Sequence, residues 1–199
     1  MTSRRQFLAG GIAGSVFVSF CSARAAVRLT DPNHQALADF VFDERFEHGA
    51  VMAQGLDQDV TRIYAMRGDV SEVWYDHLAR RLQTGPQAIG GLTTAGGLFV
   101  LSRLGHDAGL RLAMQGRHRL TDNGRRAEHA LDAPPLIAKK FSAALGSGMS
   151  WTSALQVVLH EVASRPPADR ISMMDLGVSD MSRQVTLHSW LLTPRGLSS

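Results

Sequence analysis

Glycines and threonines are concentrated in the segment from Gly90 to Gly97, which has the order Gly-Gly-Leu-Thr-Thr-Ala-Gly-Gly. Glycine allows backbone N–H groups to approach a ligand closely, and the first turn of a helix attracts anions. We therefore predict a ligand-binding loop that leads into a helix, with Gly90, Gly91, Thr93 and Thr94 as its ligand-binding residues. Neither the dinucleotide pattern G-x-G-x-x-G nor a phosphate loop with its lysine is present. The competing interpretation is a tight turn and a threonine cap, with close helix–sheet packing that Gly96 and Gly97 permit.

Three residues whose side chains can accept or donate a proton follow segments that we predict to be strands: Asp43, Asp69 and His118. Carboxylates and imidazoles are common general acids and bases in enzymes. In an open parallel sheet, ligands bind outside the carboxyl ends of the strands. If the strands are parallel, these three candidate catalytic residues lie along one edge with the Gly90–Thr94 segment. Asp69 also has a structural alternative, since it can cap the helix that follows it.

Eight histidines raise the question of a metal site. His118 and His129 occur near Asp122 and Glu128, and residues 44–48 place two glutamates and a histidine in the order Glu-x-x-Glu-His. No pair with the spacing H-x-H or H-x-x-x-H occurs, although zinc sites usually contain one. We therefore predict no dedicated metal site, and metal assistance remains only a part of an alternative function.

Several other kinds of chemistry have no support in the sequence. Cys21 is the only cysteine, no G-x-S-x-G nucleophile motif occurs, and Gly146-Ser147-Gly148 has a spacing typical of a hinge. Haem attachment through C-x-x-C-H and cysteine-ligated iron–sulfur clusters both require more cysteines. The sequence leaves the identity of any cofactor unknown.

The first 25 residues have the three parts of a secretion signal. Arg4 and Arg5 are followed by Gln-Phe-Leu, an apolar stretch without acidic residues runs from Phe7 to Phe20, and Ala23-Arg24-Ala25 places small residues at a peptidase site. This order resembles the twin-arginine (Tat) signal peptides of bacteria. We predict cleavage after Ala25, which gives a signal peptide over residues 1–25 and one domain over residues 26–199. An N-terminal core helix with two chance arginines is the alternative.

Charge in the chain is distributed unevenly between these two parts. The formal net charge is +3, from 21 basic and 18 acidic residues. Removing Arg4, Arg5 and Arg24 with the signal leaves 18 basic residues against the 18 acidic ones. The basic balance therefore gives no evidence for a nucleic-acid partner. No second apolar run has transmembrane length, so we expect no stable membrane span after cleavage.

Strands and helices are predicted to alternate in the first half of the mature chain. The predicted strands span residues 38–42, 60–66 and 110–114, and the predicted helices span residues 49–56, 71–82 and 95–104. Such alternation indicates parallel strands joined by crossover helices. We therefore predict an α/β fold, a single layered domain with a mainly parallel sheet flanked by helices and preceded by a cleavable signal helix.

The second half of the chain is predicted to begin with a long polar loop over residues 116–133. Helices are predicted over residues 134–145 and 151–162, and short strands over residues 171–175 and 185–192. The residues before Asp43 leave an alternative open, because the first strand competes with a helix from Asp31 or Asn33 to His48.

The resemblance to twin-arginine signals also bears on function. It implies recognition by the Tat translocase and export of a folded protein to the periplasm, either with a cofactor or bound to a partner that holds one. We predict an exported accessory or ligand-binding protein, with a redox enzyme as the candidate partner subunit. The alternative is a small periplasmic enzyme that uses Asp43, Asp69 and His118 at the strand ends.

Export provides the first test. Changing Arg4 and Arg5 together to lysine should block processing and leave the precursor in the cytoplasm, because the arginine pair is the part of the signal that the resemblance identifies. Fractionation followed by immunoblotting measures this. Normal processing of the double variant would show that the signal belongs to the general secretory route.

Overall fold

A mixed sheet of six strands with helices on both faces forms the part of the chain that the computed structural model describes, namely residues 37–56, 60, 62–121, 126–167 and 185–196. These residues belong to one compact unit that spans Asp31–Ser199. The predicted signal peptide and the strand predicted over residues 171–175 lie outside the described residues. Within the described residues, no helix has the length and apolar character that crossing a membrane requires.

The strands and helices are listed here in chain order. The strands are β1 (Leu37–Asp43), β2 (Arg62–Met66), β3 (Ala88–Thr93), β4 (Leu110–Thr121), β5 (Arg126–Asp132) and β6 (Val185–Pro194). The helices are α1 (Glu47–Leu56), α2 (Ala79–Gln83), α3 (Ala95–Asp107), α4 (Pro135–Gly146) and α5 (Trp151–Ser164). A π-helical segment, Val73–Leu78, runs directly into α2.

The strand order is β2-β1-β3-β6-β4-β5. β1 is parallel to both β2 and β3, whereas β6 is antiparallel to β3 and β4, and β4 is antiparallel to β5. The α/β class is therefore correct, but the prediction of a mainly parallel sheet is wrong. Parallel pairing is confined to β1, β2 and β3, which helices connect. β4 and β5 form an antiparallel hairpin, and β6 lies between β3 and β4, antiparallel to both.

Two predicted loops are strands in the structure. Most of the segment 116–133 belongs to the end of β4 and to β5, whose charged and uncharged residues alternate across the two faces of the hairpin. The Gly90–Thr94 segment is not a loop either, because Gly90, Gly91 and Thr93 lie inside β3, where all six residues are buried. Thr94 alone lies at the start of the helix. The strand over residues 38–42 is confirmed as β1, which excludes the competing helix.

Each face of the sheet is covered by its own set of helices. On one side, the α5 face, side chains of α1, α4 and α5 pack on the sheet around Phe40, Met114 and Leu191. On the other, the α3 face, the π-helix and α3 pack around Val41, Met66 and Trp190. The first crossover helix, α1, and the last, α3, therefore lie on opposite faces.

β3 and β6 approach one another closely at Gly91. A side-chain carbon on Gly91 would overlap the Trp190 indole and would lie 2.7 Å from the Val41 carbonyl oxygen. The indole Nε1–H donates a hydrogen bond of 3.0 Å to the Thr93 Oγ1. Gly91 is thus needed for packing between the strands, whereas the competing interpretation of this segment assigned close packing to Gly96 and Gly97.

Substitution at Gly91 tests this packing. Gly91→Ala should lower the free energy of unfolding by about 1–3 kcal/mol, because overpacking a buried position forces its neighbours to move. Gly96→Ala is the matched control, since a side-chain carbon there would meet no atom within 4 Å. Urea denaturation of both variants measures the difference, and equal stabilities would contradict the packing assigned to Gly91.

Candidate functional site

The carboxyl ends of the three parallel strands lie at one edge of the sheet, which we call the carboxyl edge. Asp43 is in register with Met66, and the preceding Phe42 is in register with Leu92, the neighbour of Thr93. α1 follows β1 onto the α5 face and α3 follows β3 onto the α3 face, so the ends of β1 and β3 form a topological switch point. Open α/β sheets bind ligands at such a switch point.

Asp43 holds an arginine at this edge. Its carboxylate is fully buried and accepts hydrogen bonds from the Arg45 guanidinium, 2.8 Å from Nε to Oδ1 and 2.5 Å from Nη2 to Oδ2. The hydrogen bond with Asp43 raises the pKa of Arg45, which therefore stays positively charged. The Arg45 side chain is 44% exposed and lies against Gly68, whose φ of 82° is one that L side chains rarely adopt.

The start of α3 supplies a second electropositive group at the carboxyl edge. Thr94 is the N-cap, and its Oγ1 accepts the Gly97 N–H at 3.5 Å. The first N–H groups of a helix have no partner within it, and the helix dipole gives this end a partial positive charge. Gly97 packs on Thr93 and Met66, whereas Gly96 faces open space.

Asp69 lies just beyond the end of β2 and is exposed. Its Oδ1 accepts the Ser71 N–H at 2.9 Å, and this backbone hydrogen bond lowers the pKa of the Asp69 carboxyl. The structure therefore places Asp69 at the carboxyl edge, as predicted, and gives it the hydrogen-bonding role of a turn or cap residue.

His118 does not join these residues. It lies in the interior of β4 rather than at a strand end, and its ring points to the α5 face, where it stacks on Trp151 at a centroid distance of 4.8 Å. Asp43 lies on the α3 face, in register with Met66. The predicted grouping of Asp43, Asp69 and His118 is therefore not formed as one cluster.

His118 instead belongs to a buried chain of hydrogen bonds that sequence reasoning missed. Its Nε2 lies 2.8 Å from the Ser189 Oγ, and its Nδ1 lies 2.8 Å from the His129 Nδ1. Ser189 comes from β6 and His129 from β5, in direct register with His118. Phe141 and Trp151 cover both imidazole rings. Burial, followed by the nearby His129 and His188, lowers the pKa of His118 to about 3.

His188 is a second buried histidine, adjacent to Ser189 but on the α3 face. It is in register with Thr93 on one side and with Arg117 on the other. Neither ring nitrogen has a hydrogen-bond partner within the described part of the chain. Burial, together with the positive charge of Arg117, lowers the pKa of His188 to about 4.

A buried ion pair lies at the opposite end of β1. The Asp39 Oδ2 accepts the Arg81 Nε–H at 3.2 Å, and the Arg81 Nη2 donates to the Gln87 Oε1 at 2.7 Å. Burial raises the pKa of Asp39 despite this partner. The pair joins α2 to the sheet, and nearby the π-helix stacks His77 on Tyr64 at a centroid distance of 5.1 Å.

The described residues contain no group of three or more histidine, cysteine or carboxylate side chains placed to hold a metal ion. Glu44 lies before α1, and Glu47 and His48 form its first residues. The His48 ring packs on Trp151 at a centroid distance of 5.3 Å, so its environment is aromatic.

No family model, curated protein or solved structure matches the chain.

Because two histidines are deeply buried, we predict that the protein loses stability in acid. His118 and His188 have folded-state pKa values of about 3 and about 4, whereas an unfolded histidine titrates near ~6.5. Between these values the unfolded state binds more protons, so the free energy of unfolding falls as the pH falls below ~6.5. We expect a loss of about 4 kcal/mol between about pH 7.5 and pH 5, measured by urea denaturation.

His188→Leu, a variant that removes one of these two groups, should reduce this pH dependence by about half. His106→Leu, at a surface position on α3, serves as the control. The explanation fails if the pH dependence of the His188 variant equals that of the unmodified protein.

Proposed function

We propose that this chain is an exported periplasmic ligand-binding protein that takes a small anion at the carboxyl edge. The observation that carries the proposal is the parallel register of β1, β2 and β3, because Arg45 follows the end of β1 and the first turn of α3 follows the end of β3 at the same edge of the sheet. Both groups are electropositive, and their convergence at a switch point favours a ligand that bears a carboxylate or a phosphate group.

Contacts at the carboxyl edge favour an anionic ligand over a cationic one. Asp43 engages Nε and Nη2 of Arg45, which fixes the plane of the guanidinium while part of the side chain stays exposed. Met66, in register with Asp43, packs on Gly97 in the first turn of α3. Met66 therefore links the strand end that holds Arg45 to the start of α3, and the open space at Gly96 leaves that first turn uncovered.

Catalysis at this edge has less support than binding. Asp43 is paired with Arg45, and Asp69 accepts the Ser71 N–H, so both predicted carboxylates have structural partners. His118, the third candidate in the alternative enzyme hypothesis, lies on the other face of the sheet.

The proposal of export and of a partner rests on the sequence. The Arg4-Arg5 signal supports passage through the Tat translocase, and the neutral balance of the mature chain supports a partner other than nucleic acid. We propose a redox enzyme subunit as the partner that is exported with it. Affinity purification from the periplasm tests this proposal, and recovery of the mature chain without a stoichiometric redox protein would count against it.

Gly96 offers the sharpest test of anion binding. Gly96→Asp places a negative charge at the start of α3, where it favours the helix but repels an anion. Gly96→Asn is the matched neutral control. Calorimetric titration with inorganic phosphate should detect binding to the unmodified protein and to the Asn variant, and at least about tenfold weaker binding to the Asp variant.

Two arginines provide an independent comparison in the same titration. Arg45→Gln should weaken phosphate binding about tenfold, because it removes a charge-assisted hydrogen bond. Arg67→Gln, at a side chain that is 81% exposed on the same edge, should leave affinity within about twofold. If all the variants bind phosphate equally, or if the unmodified protein binds none, then the proposed site is wrong.

A further inference from the structure

A second cluster of side chains that could take part in catalysis lies on the α5 face, away from the proposed anion site. Ser189, His118 and His129 form a continuous hydrogen-bonded chain across β6, β4 and β5, with both donor–acceptor distances at 2.8 Å. Ser189 and His118 are each 0% exposed, and His129 is half-buried. The chain thus leads from a buried hydroxyl to an imidazole that reaches towards the surface.

Proton positions in this chain follow from the chemistry of neutral imidazole, which has one N–H and one acceptor nitrogen. When Ser189 donates its O–H to the His118 Nε2, the His118 Nδ1–H donates to the His129 Nδ1. This arrangement points the serine O–H at an imidazole nitrogen whose ring is oriented by a third group. A nucleophile, a base and an orienting group have the same relation in serine-dependent acyl transfer.

Gly116 makes this contact possible. It is in register with Ser189, and a side-chain carbon at position 116 would overlap the Ser189 Oγ and lie 3.0 Å from the His118 Nε2. A larger residue there would separate the hydroxyl from the imidazole.

The Trp151 side chain covers the two imidazoles on the α5 face. Its indole stacks on His118 and also contacts His129 at a centroid distance of 5.4 Å. Trp151 is the first residue of α5 and follows a connection in which Gly148 has a φ of 86°.

We propose that Ser189 is the nucleophile of an acyl-transfer site, with His118 as its base, His129 as a positioning residue and Trp151 as a gate. The substrate class is a carboxylic ester with an apolar acyl group, because the aromatic rings of Trp151 and Phe141 pack around the two imidazoles. This inference goes beyond the proposed anion binding and does not depend on it, since the two sites lie on opposite faces of the sheet.

The reaction needs only the ester and water. The Ser189 Oγ forms a bond to the ester carbonyl carbon while its proton passes to the His118 Nε2. The bond to the leaving alkoxide breaks as that proton is transferred to it, and the alcohol departs. Water then attacks the acyl-serine with His118 again taking the proton, which releases the acid and restores Ser189.

A fluorophosphonate probe tests the nucleophile directly. The serine oxygen forms a bond to phosphorus and fluoride leaves, so the adduct can be located by peptide mass spectrometry. We expect the adduct on Ser189 in the mature protein and labelling about tenfold faster in Trp151→Ala, which opens the gate. Ser142→Ala, at an exposed position on α4, should label like the unmodified protein.

Variants at His129 separate a positioning role from a merely structural one. His129→Ala should slow labelling by about 10²-fold, because the His118 ring loses its orienting acceptor. His129→Asn, whose side-chain oxygen can accept the His118 Nδ1–H, should restore most of the rate. Absence of a Ser189 adduct in both the unmodified protein and folded Trp151→Ala would overturn the proposal. Equal labelling of the Ala and Asn variants at the unmodified rate would overturn the role of His129.

Discussion

The contact between Trp190 and Gly91 determines how the two halves of the sheet are joined. Gly91 has no side chain, which leaves room for the Trp190 indole of the neighbouring strand, and the indole donates to the Thr93 Oγ1 at 3.0 Å. This hydrogen bond holds the last residue of β3, and Thr94 caps α3 immediately afterwards. The position of the α3 first turn, and therefore of the proposed anion site, depends on this close approach.

β6 also contributes buried polar side chains to both faces of the sheet. Successive residues of a strand point to opposite faces, so Ser189 joins the histidine chain under α5 whereas His188 lies on the α3 face. Both side chains are buried on a central strand. Polar groups interact strongly there, and a polar group without a hydrogen-bond partner lowers the stability of the fold. Ser189 has a partner in His118, whereas the His188 ring nitrogens have none within the described residues.

Much of the first half of the fold could be predicted from the sequence. Alternating β-branched residues and glycine-bounded apolar segments indicated β1, β2 and the helices between the parallel strands, and their parallel order placed Asp43 and Asp69 at one edge. The glycines of β3 were misleading because glycine serves close packing as well as loops. Only the residue that packs on Gly91, Trp190, shows that this glycine serves close packing rather than a loop. Trp190 lies about a hundred residues further along the chain.

The second half of the fold was less predictable for a different reason. Polar residues over 116–133 suggested a loop, yet Asn123-Gly124 between two alternating segments is a strong hairpin signal. That signal predicts the pairing of β4 with β5, in which His118 lies opposite His129. The placement of β6 between β3 and β4, and hence the Ser189–His118 contact, is a long-range pairing that no local pattern contains.

The central claim is that the junction of β3 and α3, together with Arg45, forms a site for a small anion. Nuclear magnetic resonance of the isotope-labelled mature protein during titration with inorganic phosphate tests it most directly. We predict saturable shifts that are largest at the backbone amides of residues 94–97 and at the Arg45 Nε–H, with the Trp151 indole and the His129 ring unchanged. Shifts centred on Trp151 and His129, or shifts scattered over the surface without saturation, would contradict the claim.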